Sequence, residues 1–126
     1  MPFFSIVIPL YNKANFILAT LKSVSNQTFE NYEIIVINDG STDESLSKIE
    51  ALKLPKLAIH TQENKGLSAA RNRGVTLARG QYVALLDADD IWKPTYLESM
   101  FKLIENYPNH QIFGCTYKES RNGRLM

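Results

Sequence analysis

The sequence predicts an α/β domain built on a mostly parallel central sheet with helices on both faces. Three observations carry that prediction. Short apolar runs alternate from end to end with stretches whose apolar residues recur at spacings of three and four. The links between these stretches are short, as in repeated strand–helix–strand units. With 126 residues, 44% hydrophobic and 21% charged, the chain suits one soluble core and not two. Residues 1–126 are therefore expected to form a single domain.

Phe3 to Pro9, rich in Ile and Val, is the first strand. Ala14, Ile17, Leu18, Leu21 and Val24 then mark an amphipathic helix. Glu33 to Ile37 is a second, fully buried strand. Ser41 and Thr42 are good N-cap residues for a helix with Leu46, Ile49 and Leu52 on its inner face. Pro55 stops that helix, and Leu57 to Thr61 is a third, weaker strand. Gly66 opens a helix whose Leu67, Ala70, Gly74, Leu77 and Ala78 share one face, and Gly80 closes it. The small residues on that face predict close packing against the sheet. Gln81 to Leu86 is a fourth strand. Pro94 suits the first turn of a helix that turns Leu97, Met100, Phe101 and Ile104 inward. Ile112 to Tyr117 is a fifth strand, and Lys118 to Met126 are expected to fray.

Composition excludes several classes of function. The net charge is +1, so no broad basic field is present to hold nucleic acid, and any bound anion needs a local site. The single cysteine, Cys115, allows neither an intramolecular disulfide nor a Cys-based structural metal site. No apolar run approaches the roughly 20 residues that span a bilayer. Phe3 to Leu10 is too short for a signal peptide and lacks its basic start. A cytoplasmic location is expected.

In an open parallel sheet, ligands sit beyond the carboxyl ends of the strands. Four strands run out there into polar or glycine-containing segments: Pro9-Leu10-Tyr11-Asn12-Lys13, Asn38-Asp39-Gly40-Ser41, Asn64-Lys65-Gly66 and Asp87-Ala88-Asp89-Asp90. All four should gather on one edge. Asp87 and Asp89 stand two apart at a strand end, where period-two geometry aims both carboxylates the same way. Such like charges want a cation between them, and oxygen ligands favour a hard ion such as Mg²⁺ or Mn²⁺. The alternative is a solvated acidic turn that caps the next helix, which Asp90 could do alone. Asp39 suits a ribose hydroxyl or a base edge, or else an Asx turn. Tyr11 is placed either to stack on a base or to pack on the neighbouring loop. Arg71 could reach an anionic ligand, Lys13 and Lys65 are candidates for phosphate contact, and Arg73 and Arg79 read as solvated charges. Trp92 reads as a packing anchor. His60 and His110 have no metal-ligand partner at useful spacing, and no nucleophile context surrounds Ser68 or Cys115.

The first loop has no glycine, so the dinucleotide fingerprint is absent, as is any Gly-Lys-Ser/Thr phosphate loop. An aspartyl-phosphate phosphatase would need its nucleophile directly after the first strand, where Pro9 and Leu10 stand.

Four blocks together resemble glycosyltransferase family 2: Ile8-Pro9-Leu10-Tyr11-Asn12, Val36-Ile37-Asn38-Asp39-Gly40-Ser41-Thr42-Asp43, Asn64-Lys65-Gly66 through Ala70-Arg71-Asn72-Arg73-Gly74, and Leu86-Asp87-Ala88-Asp89-Asp90. They occur in the family's order and run to about Trp92. The resemblance implies the nucleotide-sugar-binding part of a GT-A fold, a Rossmann-like architecture. By motif position, Tyr11, Asp39 and Arg71 would line the nucleoside pocket and Pro9 would shape the first loop. Asp87 would lie near the ribose and the metal, and Asp89 would be the main ligand of Mg²⁺ or Mn²⁺ on the diphosphate. The implied reaction moves a sugar from a nucleotide-diphosphate sugar to a glycan or lipid-linked acceptor in one inverting displacement. A carboxylate base takes the acceptor proton. The implied location is cytoplasmic or peripheral at the inner face of the membrane.

The family's base and acceptor elements lie in a C-terminal portion beyond the fifth strand, where this sequence offers only Lys118 to Met126. Glu119 matches no base motif. The chain is therefore expected to be truncated on that side and weak as a transferase alone, its base lying outside it. A nucleotide-sugar-binding module without turnover is the alternative. An apolar edge left without cover would favour self-association.

Overall fold

The computed structural model describes residues 1–114, together with the backbone of residues 120–121 and 124–125. Four strands, β1 (Phe4–Leu10), β2 (Tyr32–Asp39), β3 (Leu57–Gln62) and β4 (Tyr82–Leu85), form one sheet in the order β3-β2-β1-β4. All three pairings are parallel. Helices α1 (Ile17–Ser25), α2 (Ser45–Leu52), α3 (Leu67–Leu77) and α4 (Tyr96–Asn106) connect and cover them. A short antiparallel pair, β5 (Ser120–Arg121) with β6 (Arg124–Leu125), lies near the C-terminus.

The strand order dictates which face each helix covers. From β1 the chain moves outward through β2 to β3, then returns past both to place β4 on the other side of β1. Right-handed crossovers in opposite directions put their helices on opposite faces. Accordingly Phe4, Ile6, Ile8 and Leu10 of β1 and Ile34 and Val36 of β2 share a core with Ile17, Leu21 and Val24 of α1, Ile49 of α2, and Leu97 and Ile104 of α4. The intervening residues Ile35 and Ile37 face α3 through Ala70. Every residue of β1 is buried, so this strand is apolar throughout and not alternating. Phe3, Phe29 and Phe101 close the amino-terminal end of the first core with ring centroids 4.9–5.9 Å apart.

α3 lies close on the sheet because Gly74 has no side chain. A Cβ there would stand 2.3 Å from Cγ1 of Val7, which is fully buried. Carboxylates on one face of β2 hold the two ends of this helix. Asp39 accepts backbone N–H groups just before α3, at Lys65 (2.8 Å) and Gly66 (2.9 Å). Glu33 accepts the Arg79 N–H (2.8 Å) and its guanidinium Nε (3.1 Å) just after it, and also the Ser5 hydroxyl (2.5 Å).

The sequence-based elements recur with local differences. Leu18, Leu52, Leu67 and Leu77, expected on inner faces, are exposed at 38–42%. For α3 the reason is its close approach: the helix touches the sheet along the line of Ala70 and Gly74, which leaves the leucines on its flanks. Gly80 does not close α3, whose C-cap is Ala78. It fits under β1 instead, where a Cβ would meet the Ser5 backbone N at 2.7 Å. α2 starts at Ser45 and not directly after Ser41 and Thr42, and Arg79 is an ion-pair partner of Glu33. The expected fifth strand is not seen over residues 112–114, where Ile112 is 91% exposed. The rest of that segment, with Cys115, lies outside the described residues. Residues 120–121 and 124–125, within the tail expected to fray, pair as strands. No helix among the described residues is long and apolar enough to cross a membrane.

Gly74→Ala is expected to lower stability by up to about 2 kcal/mol, since overpacking costs about 1–3 and the gain in helix propensity returns about 1. Urea denaturation measures the loss. Adding Val7→Ala should make the double variant less unstable than the two single losses added together.

Candidate functional site

The four polar segments do gather at the carboxyl edge of the sheet. Their centre is the gap between β1 and β4, where the strand order reverses and ligands of open α/β sheets bind. β1 pairs with β2 as far as Leu10, but with β4 only as far as Val7. Val7 C=O accepts Leu86 N–H at 3.0 Å, so its backbone faces β4. Pro9, two residues on, turns its backbone the same way, to where β4 pairing has ended. Its missing N–H therefore costs no ladder bond, and buried Pro9 lets the strand run into the first loop.

Asn12 fixes that loop. It adopts a left-handed conformation (φ 50°), which asparagine tolerates better than most residues. Its N–H donates to Ser41 Oγ at 3.1 Å and its Nδ2 to Thr42 Oγ1 at 3.1 Å. Its Oδ1 accepts the N–H groups of Thr42 (2.7 Å) and Asp43 (3.2 Å). Lys13 N–H donates to Ser45 Oγ at 3.0 Å, and Ala14 N–H to Asp43 Oδ2 at 3.1 Å. Ser41 and Thr42 thus join two loops and do not cap α2. Sequence reasoning gave Asn12 no role, although an asparagine directly after a strand, opposite a Ser-Thr-Asp run, was the available signal.

Asp39 ends β2 and is 1% exposed. Oδ1 accepts Gln62 Nε2 (2.9 Å) and Lys65 N–H (2.8 Å), and Oδ2 accepts Gly66 N–H (2.9 Å). One further acceptor position remains, on Oδ2. Burial pushes this carboxyl up, but the bonds from Gln62, Lys65 and Gly66 outweigh it and hold the group below its usual 3.8. Gly66 takes φ 96° and ψ 157°, a region in effect reserved for glycine, as its N–H turns to Asp39.

The acidic segment follows the expected alternation. Leu86 (3% exposed) and Ala88 (4%) point into the core, while Asp87 and Asp89 are exposed. α1 anchors this segment from beneath. Thr20 Oγ1 donates to Ala88 C=O at 2.9 Å, and Ser23 Oγ accepts Trp92 N–H at 3.2 Å. Just beyond α1, Gln27 donates to Lys93 C=O (2.6 Å) and accepts Leu97 N–H (2.9 Å). These three were missed because a buried polar residue gives no sequence signal until its partner, 66–70 positions away, is known.

Two cations face the two carboxylates. Arg71 Nη2 of α3 lies 3.0 Å from Asp87 Oδ1, and Lys13 Nζ lies 3.3 Å from Asp89 Oδ2. Asp90 is pushed above its usual value by burial and then by the charges of Asp89 and Asp87. Tyr11, directly after β1, is 37% exposed. Trp92 stacks on Tyr96 at 4.4 Å, as a packing anchor should. Arg73 turns away from the gap to Thr61 C=O and Gln62 Oε1. Among the described residues, no group of three or more His, Cys, Asp or Glu side chains is arranged to hold a metal ion. Any cation here would draw on one or two carboxylates and on oxygens of a ligand, the usual arrangement for Mg²⁺. A separate groove of about 470 Å³, lined in part by Glu30, Tyr32, Lys56 and Arg79, lies at the opposite end of the sheet.

Because Asp39 is held below 3.8, its contribution to stability is complete above that pH and is lost as pH falls through its lowered value. Asp39→Asn should cost about 1–3 kcal/mol at pH 7, because an amide NH2 in place of one carboxylate oxygen leaves a backbone N–H without its acceptor. The gap to the native chain should narrow in urea titrations taken below pH 4.

Comparison with known proteins agrees with this geometry. Residues 5–126 match the sequence profile of glycosyl transferase family 2. The chain is 40% identical over 115 residues to the glycosyltransferase GlyA of Streptococcus pneumoniae, covering 90% of this chain and 16% of that protein. It is 36% identical over 124 residues to the chondroitin synthase of Pasteurella multocida, covering 97% and 12%. It thus spans a minor part of these relatives. Among solved structures, TarS (residues 1–349) of S. aureus in complex with UDP-GlcNAc aligns with a TM-score of 0.80 at 28% identity, over 86% of this chain and 32% of that one. The mannosyltransferase PcManGT of Pyrobaculum calidifontis, in complex with GDP-Man and Mn²⁺, aligns at 0.76 and 27%, over 82% and 32%. By its profile and its fold, the chain belongs to glycosyltransferase family 2.

Proposed function

We propose that residues 1–126 form the donor-binding half of an inverting, metal-assisted glycosyltransferase that uses a nucleotide-diphosphate sugar. The observation that carries this reading is the pair of exposed carboxylates, Asp87 and Asp89, projecting together at the reversal of strand order and faced by Arg71 and Lys13. Asp89 is assigned as the main ligand of Mg²⁺ or Mn²⁺, and Asp87 is placed near the ribose and the metal. Tyr11 and Arg71 would line the nucleoside pocket, and Asp39 would offer its remaining acceptor position there. Pro9 shapes the loop that carries Tyr11.

The donor set fits a hard cation: exposed carboxylate oxygens, too few to cage an ion and open to a ligand's phosphates. A divalent ion bound there would offset the negative charge that grows on the departing diphosphate. The protein's own part is positional. Asn12 and Asp39 fix the loops on either side of the gap, and Thr20, Ser23 and Gln27 hold the acidic segment so that the carboxylates need not reorganise. A carboxylate base for the acceptor hydroxyl is assigned to no residue of this chain. A glycan or lipid-linked acceptor, and a location that is cytoplasmic or peripheral at the inner face of the membrane, complete the proposal. It is supported by the two relatives solved with UDP-GlcNAc and with GDP-Man and Mn²⁺.

A thermal-shift titration with UDP, GDP, CDP and TDP, each with and without Mn²⁺, tests the donor site. A ligand at a hundredfold excess over its Kd should add about 2.7 kcal/mol, a shift of several degrees. Asp89→Ala should abolish the metal-dependent part. No shift with any nucleotide would overturn the donor assignment, while robust sugar transfer by this chain would overturn its restriction to donor binding.

A further inference from the structure

Lys13 and Asp89 stand on opposite sides of the gap between β1 and β4. The Lys13 backbone is pinned: its N–H donates to Ser45 Oγ (3.0 Å), and its C=O accepts Phe16 N–H (3.0 Å) and Ile17 N–H (2.9 Å). Only the side chain can move, on a flexible four-carbon stem. Its ammonium lies 3.3 Å from Asp89 Oδ2, with the two side chains 39% and 43% exposed. The Phe16 ring, 5.9 Å away, offers the ammonium a second resting contact. On the other side of the gap, Arg71 pairs with Asp87. Neither carboxylate therefore stands bare: each is paired with a cation from a different loop or helix.

A divalent cation and an ammonium cannot both occupy the same face of one carboxylate at low cost. We propose that Lys13 is the resting counter-ion of Asp89, that it must leave before a divalent cation binds, and that the diphosphate of the nucleotide then takes up the freed ammonium. This rests on the assignment of Asp89 as metal ligand made above. Metal alone meets a competitor, whereas metal with diphosphate gives the displaced charge a new partner. Lys13 thus couples the two ligands: each binds better when the other is present. An exposed ion pair makes the competitor weak enough to be displaced. Arg71 differs because its planar, helix-borne guanidinium has less freedom to swing away.

The test reads free Mn²⁺ by electron paramagnetic resonance in titrations of the native chain and of Lys13→Met, Lys13→Gln, Lys13→Arg and Asp89→Asn, first alone and then with UDP and with GDP. Lys13→Met and Lys13→Gln should bind Mn²⁺ alone about 2- to 5-fold more tightly than the native chain, the range an exposed ion pair allows. Both should also show a smaller gain from nucleotide, and Lys13→Arg should stay near native in both respects. Unchanged or weaker Mn²⁺ binding in both charge-removing variants overturns the exchange. So does a nucleotide gain that they retain in full or that the native chain lacks. If Asp89→Asn binds Mn²⁺ as the native chain does, the metal assignment fails and the exchange falls with it. If Asp89→Asn loses binding while Lys13→Met is unchanged, the exchange alone fails.

Discussion

The placement of the site depends on how α3 is held against the sheet. One face of β2 reads Glu33, Ile35, Ile37, Asp39, with a carboxylate at each end and apolar residues between. Asp39 takes the backbone donors before α3, and Glu33 takes Arg79 after it. Burial pushes the Glu33 carboxyl up, yet the bonds from Ser5 and Arg79 hold it below its usual value, so it too works as an anion. Ile35 and Ile37 against Ala70 set the lateral position, and Gly74 over Val7 sets the depth. With α3 fixed along, across and into the sheet, Arg71 has one place to stand, beside Asp87. A helix that rode higher would withdraw the guanidinium from the gap.

The candidate site divides into a buried frame and a set of exposed groups above it. Framing residues are buried or bonded on all sides: Asp39, Thr20, Ser23 and Gln27 are below 9% exposed, and no buried side-chain polar atom among the described residues lacks a partner. The candidate ligand-facing groups (Tyr11, Lys13, Arg71, Asp87, Asp89) are at least a third exposed, and the four charged ones are held chiefly by exposed ion pairs. An exposed ion pair is worth up to about 1 kcal/mol, whereas unpairing a buried polar group costs about 1–3. The ion pairs above the frame therefore cost less to break than the bonds within it.

Much of this was legible in the sequence because period is a strong signal. The strand and helix order from β1 to α4 followed from apolar spacing, and the outward aim of Asp87 and Asp89 followed from alternation with Leu86 and Ala88. Polar residues whose meaning lies in a distant partner were not legible. Ser41 and Thr42 have the local chemistry of caps, and only the neighbouring loop shows that Asn12 takes their hydroxyls. Thr20 interrupts an apolar stripe, and its reason is the carbonyl of Ala88. Asp39 looked like a ligand contact because it ends a strand. Most of its acceptor capacity is in fact spent on holding the next loop.

The anchoring of the acidic segment by α1 also sets the order of events as the chain is made. Thr20 and Ser23 lie in the first quarter of the sequence, and their partners Ala88 and Trp92 follow 68 and 69 positions later. At about 5–20 residues per second, those hydroxyls wait some 3–14 s for the groups they hold. Until then α1 and the first three strands can collapse, but the edge that carries the carboxylates does not exist. The gap between β1 and β4 is thus made only after α1, α2, α3 and the first three strands, and a chain released before that point would hold a sheet and no mouth.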